Sequence, residues 1–145
     1  MNNTVCILAA LALTVLVAAC RGGGLPDEAQ QIVDSCYADF KVDTVMVQGE
    51  GDTARYVAKI PGDVVMEFDS DGAWISVKDP GGVPAGIVPA PITAYVKKNY
   101  MGRTIVAIER TGKEGYRVDL YGGTHMIFDA QGKFIKLDYP VVEVY

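Results

Sequence analysis

His125 and three cysteines, Cys6, Cys20 and Cys36, are the residues whose types best suit nucleophilic, acid–base or metal chemistry. Their spacing does not support it. His125 stands in an alternating segment with Met126 and Phe128, and no Cys or carboxylate cluster at metal-ligand spacing lies beside it. Cys36 falls in an apolar helical stripe, so a Cys–His nucleophile is not indicated and a small buried apolar role is expected for it. No G-x-S-x-G, H-E-x-x-H or P-loop pattern occurs. Asp69 and Asp71 ahead of Gly72 could open a calcium loop, but no bidentate Glu follows at the required place. Sixty residues on, the chain reads Asp129-Ala130-Gln131-Gly132, which keeps the first Asp and the Gly and loses the second carboxylate. The pattern kept in both places is that of a turn, with Asp bonding its own backbone and Gly accepting positive φ. These residues imply no catalytic group, metal or cofactor, and the chain is not expected to be an enzyme.

Cys20 has a different chemistry open to it. Residues 5–19 are apolar except for Thr14, a length that suits a secretory signal and falls short of the roughly 20 residues that span a bilayer. Val17-Ala18-Ala19-Cys20 resembles the lipobox of bacterial lipoproteins, in which the Cys is lipidated and becomes the first mature residue. Residues 1–19 are expected to be signal peptide and 20–26 a tether, with Arg21-Gly22-Gly23-Gly24 supplying flexibility. The n-region departs from the usual pattern in having no Lys or Arg. Removal of Cys6 and lipidation of Cys20 leave Cys36 alone in the body, so no internal disulfide can form.

The chain carries net charge −5, which argues against nucleic acid as partner. Residues 21–80 hold 5 basic and 12 acidic side chains, and residues 81–145 hold 8 and 6, so the halves are of opposite sign. That split favours docking of one half on the other, or a polarised surface.

An internal repeat organises the mature chain. A shift of 60 residues aligns 29–80 with 89–140 without a gap and gives ten identities, among them Ile32/Ile92, Thr44/Thr104, Tyr56/Tyr116, Met66/Met126, Phe68/Phe128 and Gly72/Gly132. They fall at apolar and turn positions, where a repeated backbone needs them. Each copy opens with an amphipathic helix: Ala29, Ile32, Val33, Cys36, Tyr37 and Phe40, then Ile92, Tyr95, Val96 and Tyr100. Four short strands separated by turn signals follow in each. The predicted fold is α+β, two tandem α-β4 repeats forming an antiparallel sheet with both helices on one face. Repeat 1 covers 27–80, a Pro/Gly linker 81–88, repeat 2 89–140 and a tail 141–145. A copy of about 50 residues is marginal alone, so the two should fold and unfold together.

Strand alternation yields a candidate surface. If Ile75 and Val77 face the helices, Trp74, Ser76 and Lys78 face away, as do Phe134 and Lys136, His125 and Ile127, and Arg117 and Asp119. Aromatics among charges of both signs are typical of protein-binding surfaces. Trp74, Phe134, Lys78, Arg117, His125, Ile127 and Lys136 are therefore the candidate partner contacts. The competing reading of Trp74 and Phe134 is that their rings pack at the seam between copies.

Val88-Pro89 with Ile92, Tyr116-x-Val118-x-Leu120, Gly122 and Phe128-Asp129-x-x-Gly132-Lys133 resemble the PepSY-like family of small exported Bacteroides-type proteins. Tyr56, Gly62 and Phe68-Asp69-x-Asp71-Gly72-x-Trp74 extend the resemblance to the first copy, and so to nearly all of the mature chain. The resemblance implies a fold similar to beta-lactamase inhibitor protein, with tandem α-β4 units and helices on one side of a common sheet. In that inhibitor the open sheet face grips an enzyme; no catalytic residues come with the family. The expected function is a lipid-anchored cell-envelope binding module that contacts a protein or peptide through the sheet face opposite the helices, inhibition being one form of that role. The alternative is a structural lipoprotein scaffold of an outer-membrane assembly. Either places the protein in the periplasm or at the cell surface, held to a membrane through Cys20.

Overall fold

The computed structural model describes residues 24–112 and 115–139. The signal segment 1–19, Cys20 and the tail 141–145 lie outside them. Helix α1 (Asp27–Cys36) precedes strands β1 (Thr44–Gln48), β2 (Arg55–Ile60), β3 (Val64–Phe68) and β4 (Trp74–Lys78). Helix α2 (Ala90–Asn99) then precedes β5 (Ile105–Arg110), β6 (Gly115–Leu120), β7 (Thr124–Asp129) and β8 (Phe134–Leu137). All eight strands form one antiparallel sheet in sequence order. The halves meet where β4 pairs with β5, Val77 opposite Ile108.

Both helices begin just after a proline, Pro26 and Pro89, whose fixed φ and missing N–H are compatible with a helix start. Asp27 and Glu28 at the start of α1, and Lys97 and Lys98 at the end of α2, complement the helix dipoles. At 10 residues each, the helices are too short to persist alone. They are held by apolar contact: Ala29 and Val33 of α1 and Ile92 and Val96 of α2 are buried in the same core cluster as Met66, Phe68, Val77, Ile108, Met126 and Phe128. A large side chain buried in this way contributes about 1.5–3 kcal/mol. No helix among the described residues is long and apolar enough to cross a membrane.

Three expectations need correction. First, the apolar stripe of α1 does not reach Phe40. The helix ends at Cys36 and Phe40 is 51% exposed, while Cys36 is half-buried. Second, the gap-free shift holds for the last three strands of each half and not for the helix and first strand. Tyr56 opposite Phe68 corresponds to Tyr116 opposite Phe128, 60 residues on, whereas α1 and α2 are 63 apart. The first strands keep the 63 spacing. Val45 lies opposite Ala58 and Val47 opposite Tyr56, as Ile108 lies opposite Val118 and Arg110 opposite Tyr116. The three extra residues of the first half therefore fall in the turn between β1 and β2, which holds a short 3-10 helix, Gly51–Thr53. Ala29 corresponds to Ile92 and Val33 to Val96, and the Ile32/Ile92 and Thr44/Thr104 identities join positions that are not equivalent. Third, β4 and β8 do not alternate regularly. Phe68 pairs with Trp74 but Glu67 with Ser76, and Phe128 pairs with Phe134 but Ile127 with Lys136. Ile75 and Ile135 are the extra residues of these β-bulges, and each bulge switches the face of the residue before it.

Gly72 and Gly132 occupy the turns after β3 and β7 with φ of +88° and +79°. A Cβ on Gly72 would lie 2.9 Å from the Ala29 backbone nitrogen, and one on Gly132 3.0 Å from Pro91 Cβ. Glycine thus lets the start of each helix rest directly on a turn of the sheet.

Candidate functional site

Registers across β4–β8 place two adjacent rows of side chains on the sheet face opposite the helices. One row runs Ser76, Glu109, Arg117, Ile127 and Lys136. The other runs Lys78, Ala107, Asp119 and His125, and the Asp138 N–H donates to the His125 carbonyl at its end. At about 4.8 Å per strand the rows extend roughly 20 Å. Of the expected contact residues, Lys78, Arg117, His125, Ile127 and Lys136 share this face.

At its centre is a cluster of charges. His125 Nδ1 lies 2.6 Å from Asp119 Oδ1. Arg117 reaches Asp119 through Nε at 3.6 Å and Asp138 Oδ2 through Nη1 at 3.5 Å. The four side chains are 28–42% exposed, so each pair is worth only about 0.2–1 kcal/mol. The cluster gathers a guanidinium, an imidazole and two carboxylates on one patch of the face. A His–Asp pair would need an activated nucleophile to form a catalytic triad. Among the described residues no Ser, Thr or Cys side chain is hydrogen-bonded to His125, and no group of three His, Cys, Asp or Glu could hold a metal. What the arrangement can do is present oriented donors and acceptors beside the apolar Ile127.

Trp74 and Phe134 are not on this face, contrary to expectation. The bulges at Ile75 and Ile135 turn both toward the helices. Trp74 is 8% exposed, with the Arg110 guanidinium carbon 4.2 Å above its ring and Tyr116 at 6.3 Å. It joins β4 to β5 and β6, the seam between the halves. Phe134 stacks on Tyr95 of α2 at 4.7 Å and meets Phe128 edge-on at 5.9 Å. Both rings serve packing on the helix side of the sheet.

Two further arrangements bear on the site. Asp69 Oδ1 accepts from the N–H groups of Asp71 and Ala73, and Asp129 Oδ1 from those of Gln131 and Lys133. Both carboxylates serve their own turns, as the sequence indicates. Sequence reasoning placed Tyr37 in the apolar stripe of the first helix and missed its pairing with Asp79. The Tyr37 hydroxyl donates to Asp79 Oδ2 at 2.8 Å in a buried contact, and Asp79 Oδ1 accepts from Gly81 N–H. Burial foremost, then the bond to Asp79, pushes the Tyr37 hydroxyl well above its ordinary value. The pair ties the end of α1 to the connection leaving β4.

A family described as PepSY-like, and provisionally as beta-lactamase-inhibitor-like, matches residues 54–136. A candidate periplasmic protein of unknown function from Bacteroides vulgatus is 31% identical, with a TM-score of 0.74 over 79% of this chain and 92% of its own. A protein from Bacteroides thetaiotaomicron, described as a candidate calcium-regulated periplasmic protein, is also 31% identical, with a TM-score of 0.73 over 79% and 91% of the two chains. A second Bacteroides vulgatus protein, of the DUF2874 family, is 30% identical with a TM-score of 0.72 over 79% and 91%. No curated protein matches the chain.

Proposed function

Because the chain belongs to the PepSY-like family, we propose that it is a lipid-anchored binding module of the cell envelope that holds a protein or peptide on its open sheet face. The observation that carries this reading is the pair of rows on β4–β8, in which Arg117, Asp119, His125 and Asp138 are mutually oriented beside Ile127, with Lys78 and Lys136 at the margins. Both helices and their apolar partners lie on the other side of the sheet. Trp74 and Phe134 act on that side, the first by joining the halves and the second by packing on α2, and do not belong to the contact set. The periplasmic descriptions of the similar Bacteroides proteins support export, and the Val17–Cys20 lipobox supports anchoring at Cys20. The same reading takes the halves as tandem copies of one α-β4 unit. Its support is the shared element order, the bulges at Ile75 and Ile135 and the twin turns at Asp69 and Asp129.

The test is capture from detergent-solubilised envelope of the native host with the full chain and with an Arg117→Glu, Ile127→Glu double variant. A partner held by the wild type and depleted at least tenfold on the variant is expected. Equal retention by both would remove the open face from the function. A captured integral membrane complex would point to the scaffold role, and a captured soluble enzyme to inhibition. In the same cells, Cys20→Ser is expected to abolish palmitate incorporation and release the protein from the membrane; undiminished labelling would refute the anchor.

A further inference from the structure

Among the described residues the sheet is open, so β1 and β8 each leave one side of their backbone without a strand partner, and such an edge is a template for another chain. The two edges are not alike. β8 has four residues, carries Lys136, and pairs with β7 through a bulge; charge, shortness and irregularity are the usual protections of an edge. β1 reads Thr-Val-Met-Val-Gln, with no charge and no proline, and its register with β2 is regular over all five residues. Met46 and Val47 are 40% and 47% exposed. Among the described residues, no side-chain hydrogen bond involves residues 44–48, and no backbone bond joins them to anything but β2.

The sequence of β1 is also complementary to itself. Antiparallel pairing of two copies about a twofold axis at Met46 sets Thr44 against Gln48, Val45 against Val47 and Met46 against Met46. The strand ends at Gln48, where Gly49 turns the chain at a φ of +79°, so the pairing is confined to these five residues. No like charges oppose one another, and within the strand apolar residues meet apolar residues, the favourable cross-strand case. Because each residue meets one of the same parity, the open faces of the two copies fall on the same side and the helices on the other. The contact is isologous and closes at two copies, whereas β1 on β8 would propagate without end.

We propose that β1 is a homodimerisation edge, through which two copies of this chain join into one continuous sheet of sixteen strands. A five-residue strand pair is small for an interface, so the dimer is expected to form reversibly, at roughly 100 μM protein.

Sedimentation equilibrium of the full chain in density-matched detergent measures the equilibrium, and disulfide trapping in a Cys36→Ser background captures it. Met46→Cys brings two thiols to directly opposed positions, within the 4.4–6.8 Å Cα separation a disulfide allows. The expected result is a concentration-dependent shift toward twice the monomer mass, at least tenfold more trapped dimer for Met46→Cys than for Lys136→Cys on β8, and loss of the shift in Met46→Lys. The two cysteine variants are alike at every other cysteine, so their difference isolates the edge. Circular dichroism matching the wild type shows that Met46→Lys is folded. A monomer at every concentration with no trapping in Met46→Cys, trapping equal at the two edges, or a dimer unaffected by Met46→Lys would each overturn the proposal.

Discussion

Asp79 is 8% exposed, and the two bonds it accepts, from Tyr37 and Gly81, make its burial tolerable. Replacing Tyr37 with Phe removes the hydroxyl and leaves that carboxylate short of a donor, at a cost of about 1–3 kcal/mol. Urea unfolding at pH 7 should show the loss. The pH dependence follows from the raised Tyr37 hydroxyl. A group that holds its proton more tightly when folded stabilises the fold fully below its unfolded value of about 10 and ceases to do so as pH climbs from there through the folded value. Wild-type stability should therefore fall with rising pH above about 10, and the fall should be shallower in Tyr37→Phe. It should not vanish, because burial foremost and Tyr100 next also raise Tyr95. A slope identical in the two proteins would contradict this account. Nothing in the sequence marks the Tyr37–Asp79 pair. Its members are 42 positions apart, and the 60-residue shift offers no hint, since it sets Asp79 against Tyr139.

At the scale of elements, the helices, the strands and most of the core were legible because apolar periodicity reports which side of a regular element is buried. Met66, Phe68, Met126 and Phe128, all at 0% exposure, stand where alternation puts them. The open-face residues Lys78, Arg117, His125, Ile127 and Lys136 follow from the same rule. Trp74 and Phe134 escape it because alternation assumes an unbroken pleat, and a bulge is set by register with the neighbouring strand, which one segment of sequence does not contain. The 63-residue spacing of the helices and first strands escaped a gap-free comparison because the identities from Tyr56 onward outweighed a three-residue insertion in one turn. The glycine turns provide a test of how helix and sheet are joined. Gly72→Ala puts a methyl group against the Ala29 backbone at a φ of +88°, and the clash and the backbone strain together should cost about 2–4 kcal/mol. Gly62→Ala, with positive φ but nothing within 4 Å, should cost about 1 kcal/mol, since only the conformational penalty remains. Equal losses in thermal unfolding would show that close approach of α1 to the turn is not what glycine serves.

For the whole molecule, one core cluster draws on both helices and both sets of strands, and the β4–β5 ladder makes the sheet continuous. The two halves should consequently unfold in one step. Trp74 is the chain's one tryptophan and sits at the seam, so its fluorescence reports the joint while far-UV circular dichroism reports the sheet as a whole. Coincident thermal transitions by the two probes, with calorimetric and van't Hoff enthalpies in agreement, are expected. A fluorescence change that precedes the loss of strand signal would mean that the halves separate before they melt.

The strand order also governs how the chain reaches this structure. Each strand lies next to its neighbour in sequence, so six of the seven ladders close over a turn of a few residues, and only β4–β5, with Ser76 opposite Glu109, must wait for a helix to form between them. Contacts of such short range are quick to find. Pairing within each half is therefore expected to begin early, and the ordered core to be complete only when the β4–β5 joint closes beside Trp74.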